Sequence, residues 1–324
     1  MNSSLTIETI TEAAARIKPY IHRTPVFSSV MINQLCGAEL FLKSENLQKV
    51  GAFKARGAVN AVFSLNDADF SANKGSDRYV TTHSSGNHAA ALAYAARCRG
   101  IKALVVMPEN APPVKKAAVA GYGAQITYVE STQEAREMGL AEIVDQTGAV
   151  FIHPYNDQRV IAGQATAAME LIDQVPGLDA VIAPVGGGGL LSGTALSASA
   201  LQPAAQIFGA EPEGANDAFR SLQAGRIIPM TDPQTIADGL RTSLGELTFP
   251  IIQKHVQEII TVDEEAIIHA MRLIWERMKL IVEPSSAVAL AAVISKRDQL
   301  KGQKIGLIIS GGNADLDHLP WFEG

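Results

Sequence analysis

The sequence has few cysteines. Only two are present among 324 residues, Cys36 and Cys98, and neither belongs to a CxxC motif or to a cysteine–histidine pairing with zinc-site spacing. We therefore expect neither a disulfide framework nor a structural zinc ion, and the reducing cytoplasm is the compartment that this usage favours. Cys98 lies in an alanine-rich stretch, where we expect a buried small side chain.

Charge and long apolar runs are also limited. Charged residues make up 19% of the chain, and 27 Lys and Arg stand against 33 Asp and Glu with no basic run among them. A nucleic-acid partner is therefore not expected. No continuous run of apolar side chains reaches the ~18 residues of a membrane span, and the N-terminus lacks a signal-peptide pattern. We expect no membrane partner either.

Short β-branched runs alternate with helical stretches along most of the chain. This alternation predicts an α/β protein with parallel sheets flanked by helices. The clearest series runs from 77 to 140, with helices expected from about Asn87 to Arg99, from near Pro113 and after Ser131. A second series begins at 179–185 and closes at 304–310. No linker is long enough to separate independent domains, so two domains that share a cleft are expected.

Four consecutive glycines, Gly186, Gly187, Gly188 and Gly189, follow an apolar strand and open a helix. Their N–H groups can converge without interference from a Cβ, beside the positive end of the helix dipole, so the run predicts a phosphate cradle. A P-loop would continue as Gly-Lys-Ser/Thr, whereas two leucines follow here, which disfavours hydrolysis of a nucleoside triphosphate. A plain strand-to-helix turn and a dinucleotide site remain the alternatives.

Two further segments carry chemistry. The run THSSGNH, 82–88, places hydroxyls and an amide between a strand and a helix, where N–H and hydroxyl donors can receive a carboxylate; a simple N-cap is the alternative. Lys54 follows a Gly-Ala-Phe turn at a predicted helix start. A desolvated lysine there would form an imine with an aldehyde, and a solvated surface lysine is the alternative.

Taken together, these segments resemble the serine racemase and serine/threonine dehydratase family, which are fold type II pyridoxal 5'-phosphate enzymes. The resemblance runs over nearly the whole chain, through the segments ENLQKVGAFKARGA, THSSGNHAAALAYAA, HPYNDQRVIAGQAT, PVGGGGLLSG, AEPEGANDA, ADGLRTSLG, WERMKLIVEPSSAVALAAV and LIISGGNADL. It implies a tryptophan synthase β-like fold with two parallel-sheet domains and the cofactor in the cleft between them. The large domain would comprise 1–76 plus 150–324, and a small mobile domain, 77–149, would close over the substrate. A homodimer is also implied.

The resemblance also implies roles for individual residues. Lys54 would bind pyridoxal 5'-phosphate covalently, and the four glycines would hold its phosphate. Ser310 would face the pyridine nitrogen, and because a hydroxyl does not stabilise a protonated ring nitrogen, elimination is favoured over transamination. Ser85 would act as acid or base on the face opposite Lys54. The remaining implied contacts are Phe53 beside the ring, Asn87 at the pyridoxal hydroxyl, and Ser84, Ser85, Asn87, His88, Arg136 and Thr242 around the substrate.

A cation site and a substrate preference follow from the same resemblance. Glu211, Asp217 and the carbonyl of Ala215 match the family's hard-cation site, and oxygen ligands suit Mg²⁺ or Ca²⁺. Without the resemblance, the two acids would be a helix start and a solvated carboxylate. Arg136 is either a surface arginine or the partner of a second carboxylate, as in 3-hydroxyaspartate.

These observations predict a pyridoxal-phosphate-dependent ammonia-lyase acting on a small amino-acid substrate. It would eliminate water from an L-β-hydroxy amino acid, namely 3-hydroxyaspartate, serine or threonine, and give a 2-oxo acid and ammonia. A serine- or aspartate-type racemase, or racemisation as a second activity of the same site, is the alternative. A non-catalytic amino-acid-binding protein is a further alternative, against which the lysine at position 54 argues. His83 and His153 are interpreted as capping or surface histidines.

Overall fold

Two parallel-type sheets and their flanking helices form the protein, as the alternating pattern predicts. The structure is a computed structural model that describes residues 5–84 and 86–322. One sheet has six strands and the other has four. The predicted α/β class is therefore confirmed.

The larger sheet contains five mutually parallel strands and one short antiparallel edge strand. Its central strands are apolar and buried on both faces, which is typical of a parallel sheet covered by helices on each side. In spatial order the strands are β1 (Val26–Phe27), β2 (Glu39–Ser44), β10 (Lys304–Ile309), β7 (Ala180–Pro184), β8 (Gln206–Pro212) and β9 (Glu258–Val262).

Helices cover both faces of the larger sheet and bury two apolar clusters against it. One cluster contains seven consecutive residues, 287–293, of the helix that precedes β10, and the other lies on the opposite face. These helices are α1 (Ile7–Ile17), α2 (Val30–Cys36), α3 (Lys54–Ser64), α7 (Gln158–Gln174), α8 (Gly189–Leu201), α9 (Asp217–Ala224), α10 (Thr248–His255), α11 (Glu264–Met278) and α12 (Pro284–Ser295).

The smaller sheet is parallel throughout. In spatial order its strands are β5 (Gln125–Val129), β4 (Lys102–Pro108), β3 (Tyr79–His83) and β6 (Val150–Phe151). Its helices are α4 (Asn87–Arg99), α5 (Pro113–Gly121) and α6 (Gln133–Thr147), which begin close to the predicted positions. Because β6 pairs with β3, the sheet continues just past the predicted domain boundary at 149.

Cys98 differs from its prediction. Its side chain is exposed, whereas Cys36 is buried, and both are free thiols. Most alanines of α4 face the core, but the helix turns so that Arg97 and Cys98 in its last turns face solvent. An alanine-rich composition does not tell which side of the helix the cysteine occupies.

Among the described residues, no helix is long and apolar enough to cross a membrane.

Candidate functional site

A cavity of about 780 Å³ lies where the carboxyl ends of strands from both sheets meet. Such a crevice is the usual ligand position in open parallel sheets. The strands β3, β7 and β10 lead directly into it, and α6 covers it from the smaller sheet. Most of the predicted site residues line it, namely Phe53, Lys54, Ser84, Asn87, His88, Arg136, Gly186, Gly187, Gly188, Gly189, Thr242 and Ser310. Ser85, the predicted acid or base, lies outside the described residues.

Lys54 is the first residue of α3 and points into the cavity. The residue before it is anchored to the larger sheet, since the Phe53 N–H donates to the Ser310 carbonyl at 2.9 Å. The Lys54 Nζ donates to the Pro154 carbonyl at 2.9 Å. Burial lowers the pKa of Lys54 to about 8, and the charge of Glu283 opposes this shift. A substantial fraction of the amine is therefore nucleophilic near neutral pH, as an imine-forming lysine requires.

The glycine run forms the turn from β7 into α8. Gly188 has a φ of +87°, in the left-handed region that favours glycine. A Cβ on Gly187 would overlap the ring of Tyr155, and one on Gly189 would lie 2.9 Å from the Tyr155 Cβ. The Thr248 hydroxyl donates to the Gly187 carbonyl at 2.9 Å and fixes the loop. First-turn N–H groups of α8 have no partner within the helix, so the loop is suited to hold a phosphate.

Gly187→Ala should lower the thermal stability of the protein. The added methyl group overlaps Tyr155, and overpacking of this kind costs about 1–3 kcal/mol, which lowers the Tm of a 324-residue chain by about 1–5 °C. Differential scanning calorimetry measures the change. Gly121→Ala is the matched control, because a Cβ there meets nothing within 4 Å and alanine favours the helix. Equal melting of the two variants would contradict the close fit of Tyr155 on the loop.

The amide of Asn87 is oriented by two neighbours. Its Nδ2 donates to the Glu283 carboxylate at 2.8 and 3.1 Å, and its Oδ1 accepts from the Asn313 Nδ2 at 2.9 Å. On the loop before it, the Gly86 N–H donates to the Ser84 hydroxyl at 3.3 Å. Asn87 starts α4, so this loop and the helix N-terminus present donors to the cavity.

The His88 side chain is a poor donor for a carboxylate. Its Nε2 lies 3.3 Å from the Ile152 carbonyl, and because a carbonyl only accepts, the ring proton is on Nε2. Burial lowers the pKa of His88 well below its usual value, so the ring is neutral. Its Nδ1 is buried and has no partner among residues 5–84 and 86–322. A contribution of His88 to carboxylate binding would therefore come from its backbone N–H.

Two further histidines line the cavity. His83 stacks on Phe151 at 5.8 Å, and His153 contacts Tyr155 edge-on at 4.6 Å. Burial lowers the pKa of both, to about 4 for His153. Both side chains are half-buried in the cavity wall, and His153 does cap a turn, as the capping interpretation expects. The sequence does indicate a cleft position for both, because each histidine stands at or just after the carboxyl end of a strand, where cleft residues gather.

Arg136 lies on α6, half-buried in the cavity wall. Its guanidinium donates to the Thr132 carbonyl at 3.2 Å and the Gln133 side chain at 2.9 Å. No carboxylate pairs with it in the described part of the chain. Tyr155 and Thr242 also line the cavity. The Arg136 guanidinium, with no carboxylate beside it in the described ranges, can pair with an anion that enters the cavity.

Lys115 is a cavity residue that the sequence did not reveal. It lies on α5 and pairs with Asp238, which belongs to the loop before α10. Although burial opposes it, the charges of Asp238 and Glu283 raise the pKa of Lys115. The stem of Lys115 passes Gly86 so closely that a Cβ there would lie 2.9 Å from the Lys115 Cδ. This ion pair connects the smaller sheet's layer to the larger one.

The predicted cation ligands are buried together near the end of β8. The Glu211 oxygens accept from the N–H groups of Ala218 and Phe219, each at 2.9 Å. The Asp217 Oδ2 accepts from the Leu244 N–H at 3.3 Å, while its Oδ1 is buried with no partner in the described ranges. Burial raises the pKa of Glu211 to about 8 and that of Asp217 to about 7, and the Asp217 charge adds to the Glu211 shift.

The buried carboxylate pair offers oxygen ligands of the kind that a hard cation prefers. The Asp217 Oδ1 without a partner would be satisfied by a cation, or by the proton that the raised pKa of Asp217 favours. Over the described ranges, no cluster of three or more His, Cys, Asp or Glu side chains has metal-binding geometry. A cation here would therefore depend on a carbonyl and on water as well as on the two acids.

Comparison with known proteins agrees with this geometry. The family model described as "Pyridoxal-phosphate dependent enzyme" matches residues 17–311. The chain is 52% identical over 316 residues to the β-hydroxyaspartate dehydratase of Paracoccus denitrificans (strain Pd 1222), covering 98% of each chain. It is 46% identical to the L-threo-3-hydroxyaspartate ammonia-lyase of Saccharomyces cerevisiae, with 95% of this chain and 93% of that one covered.

Racemases are similar to the chain at the same level. The serine racemase of Dictyostelium discoideum is 51% identical over 98% of this chain and 97% of its own length. The crystal structure of serine racemase from that organism superimposes with a TM-score of 0.91 at 50% identity, covering 97% of this chain and 100% of that one. Dehydratases and racemases are therefore both relatives of this chain at about the same sequence identity.

Proposed function

Because the chain belongs to the pyridoxal-phosphate-dependent enzyme family, we propose that it is an ammonia-lyase whose preferred substrate is 3-hydroxyaspartate. The elimination of water from an L-β-hydroxy amino acid would release a 2-oxo acid and ammonia. One observation carries the choice of substrate: Arg136 faces the cavity and has no carboxylate partner in the described part of the chain. Two relatives named for hydroxyaspartate support it.

The cavity residues fit pyridoxal phosphate. Lys54 offers an amine with a lowered pKa, and the glycine loop packs so closely that a Cβ at any of its four positions would collide with a neighbouring residue. When bound, the cofactor supplies a conjugated ring that withdraws electrons and makes the α-hydrogen of an attached amino acid acidic. Ser310, which bonds to the Ser286 hydroxyl at 3.0 Å, would meet the ring nitrogen with a neutral hydroxyl. Such a partner leaves the ring a mild electron sink.

The protein's own groups would then orient the substrate and move its protons. The Lys54 amine would take the proton from the α-carbon, since its low pKa makes it a competent base near neutral pH. The N-terminus of α4 and the loop 84–88 would hold the α-carboxylate through N–H and hydroxyl donors. Asn87, held by Glu283 and Asn313, would present its amide in one fixed orientation. The buried, neutral His88 would leave that carboxylate to the backbone donors.

A second carboxylate on the substrate would meet Arg136. A guanidinium forms two parallel hydrogen bonds with a carboxylate, a match that serine and threonine cannot offer. Tyr155 and Thr242 would close the same side of the pocket. A pocket made for threonine would instead present apolar side chains to the methyl group.

Racemisation is the second candidate activity, as an alternative or alongside elimination. The similarity to the serine racemase of Dictyostelium discoideum favours it. Ser85 would supply an acid or base on the face of the α-carbon opposite Lys54. If that group returns the proton before the β-hydroxyl leaves, the product is the opposite enantiomer.

Titration of the purified holoprotein with single substrates tests the proposal. Absorbance of the cofactor, ammonia release and chiral chromatography are followed with L-threo- and L-erythro-3-hydroxyaspartate, L-serine and L-threonine. We expect a spectral shift and ammonia with a 3-hydroxyaspartate isomer at the highest kcat/KM. D-product that accumulates faster than ammonia would replace the lyase by a racemase. A protein with no cofactor absorbance would overturn both activities.

We also propose that Glu211, Ala215 and Asp217 bind Mg²⁺ or Ca²⁺. The cation would neutralise two buried carboxylates and bind the unpartnered Asp217 oxygen. At about 100-fold above its Kd, such an ion adds about 2.7 kcal/mol of stability, so Tm should rise by several degrees over the EDTA-treated protein.

Differential scanning fluorimetry with and without each ion measures this rise. Asp217→Asn should abolish the ion-dependent part, whereas Asp298→Asn should keep it, because the Asp298 side chain is 97% exposed. A rise that persists in Asp217→Asn would assign the ion to another place.

The domain division, oligomer and compartment are proposals of the same kind. Residues 77–149 would close over the substrate, and the Lys115–Asp238 pair, which bridges the two sheet layers, supports such a closure. A homodimer is proposed from the family resemblance, and light scattering on the purified protein would reveal it. The low cysteine content supports a cytoplasmic location.

A further inference from the structure

The connection from β6 to α7 contains a tight turn at residues 153–156. Proline at position 154 has no N–H, but the N–H groups of Tyr155 and Asn156 need acceptors before α7 begins. Both N–H groups donate to the Nδ1 of His153, at 3.3 and 2.9 Å. The imidazole therefore closes the turn as a backbone carbonyl would.

The His153 ring is held in one protonation state. Since Nδ1 accepts, the single ring proton is on Nε2 and the ring is neutral. Burial and the nearby His83 and Lys54 lower the pKa of His153 to about 4, in agreement with a neutral ring. The ring also packs edge-on against Tyr155, with centroids 4.6 Å apart. Neither the proton nor the ring orientation is free to change at neutral pH.

Each residue that follows His153 contacts a different part of the cofactor site. The Pro154 carbonyl accepts from the Lys54 Nζ at 2.9 Å. The Tyr155 ring lies against Gly187, and the Tyr155 Cβ and backbone lie against Gly189. The Asn156 Oδ1 accepts from the Leu247 N–H at 2.8 Å, next to the residues that hold the Gly187 carbonyl. The four residues of this turn thus contact Lys54, the glycine loop at 186–189 and the segment at 247–248 that holds this loop.

We propose that His153 is a positioning residue that sets the places of the Lys54 amine and the Tyr155 ring through this turn. In this role it acts through the turn, although its ring also lines the cavity. Its Nδ1 fixes the two N–H groups that follow Pro154, and the carbonyl and ring of the turn then fix the lysine and the phosphate loop. The inference rests on the proposed role of Lys54 as the cofactor-binding lysine.

Two substitutions separate the acceptor from the bulk of the side chain. His153→Leu removes the Nδ1 acceptor and puts an apolar side chain of similar size in place of the imidazole ring. His153→Asn restores an acceptor, because asparagine side chains bond to N–H groups two residues on. His269→Leu is the matched control, since His269 is exposed on α11 and far from the turn in the sequence.

Three readouts besides turnover report on the turn. Cofactor release from the holoprotein, followed by fluorescence, should be about tenfold faster in His153→Leu and within about threefold of wild type in His153→Asn. In the apoprotein, acetic anhydride labelling of Lys54, quantified by mass spectrometry, should rise about threefold in His153→Leu, because the amine loses its carbonyl partner. Histidine-selective ¹⁵N spectra of the wild type should show the Nε2–H tautomer for the signal that His153→Asn removes.

The outcomes separate this inference from the proposed function. It is overturned if His153→Leu matches His269→Leu in both release and labelling, or if His153 carries its proton on Nδ1 at neutral pH. Should His153→Leu fail to fold, the ¹⁵N spectrum and His153→Asn still decide. Borohydride reduction of the wild type that leaves no adduct on Lys54 would refute the proposed function, while the tautomer would still test the turn.

Discussion

We expect Lys54→Ala to lose essentially all ammonia release, with kcat/KM reduced by about 10⁴-fold or more. The substitution removes both the group that binds the cofactor and the base that takes the α-proton, and these functions act as a unit. The second lysine in the cavity cannot replace it, because Lys115 is paired with Asp238 and has a raised pKa. A steady-state ammonia assay and borohydride reduction followed by peptide mass spectrometry measure the two losses.

The fold should survive this substitution. Lys54 is the first residue of α3, where alanine is a good helix former. The substitution also removes the free-energy cost of keeping a partly desolvated amine in the folded protein. The melting temperature should therefore equal or slightly exceed that of the wild-type apoprotein, since both lack the stabilisation that bound cofactor gives. Lys18→Ala, at an exposed position, is the matched control and should keep full activity and the adduct on Lys54. A reducible adduct on another lysine in Lys54→Ala would contradict the assignment.

Arg136→Met should separate the candidate substrates. Loss of the guanidinium leaves a second carboxylate unpaired in the cavity, so kcat/KM for 3-hydroxyaspartate should fall by about 10²- to 10³-fold. Methionine keeps the unbranched apolar stem of arginine, and serine has no second carboxylate, so kcat/KM for serine should change by less than about threefold. Parallel assays on both substrates measure the switch.

Two further variants keep this prediction testable. Arg136→Lys should recover part of the 3-hydroxyaspartate activity, since lysine keeps the charge but lacks the paired donors. Arg97→Met, on the exposed side of α4, should affect neither substrate. An equal loss on serine and 3-hydroxyaspartate in Arg136→Met would show that Arg136 supports the cavity wall instead of recognising a carboxylate.

The local parts of the site could be predicted because neighbours in sequence create them. Four glycines between a strand and a helix can form only a tight turn with exposed N–H groups, and the structure has that turn at 186–189. The helix from Asn87 to Arg99 likewise matches its alanine-rich pattern. The lysine at position 54 was placed at a helix start by the turn before it, and α3 begins there.

Other features required contacts between distant segments. Lys115 enters the cavity only because α5 lies across it, and its partner Asp238 is far along the chain. His153 looks like a surface histidine until Lys54, Tyr155 and the phosphate loop surround its turn. The proton position of His88 depends on the Ile152 carbonyl, which lies just after β6 and 64 residues along the chain.

The sequence by itself determined the α/β class and the helix starts, because periodicity and turn geometry are properties of short segments. The family followed from a resemblance that runs over nearly the whole chain. The tertiary structure alone decided the protonation states and partners of the site residues. A pKa or an ion pair depends on burial and on charges that arrive from elsewhere in the chain. For this reason the lowered pKa of Lys54, the uncompensated charge of Arg136 and the exposed side of Cys98 became visible only after the two sheets came together.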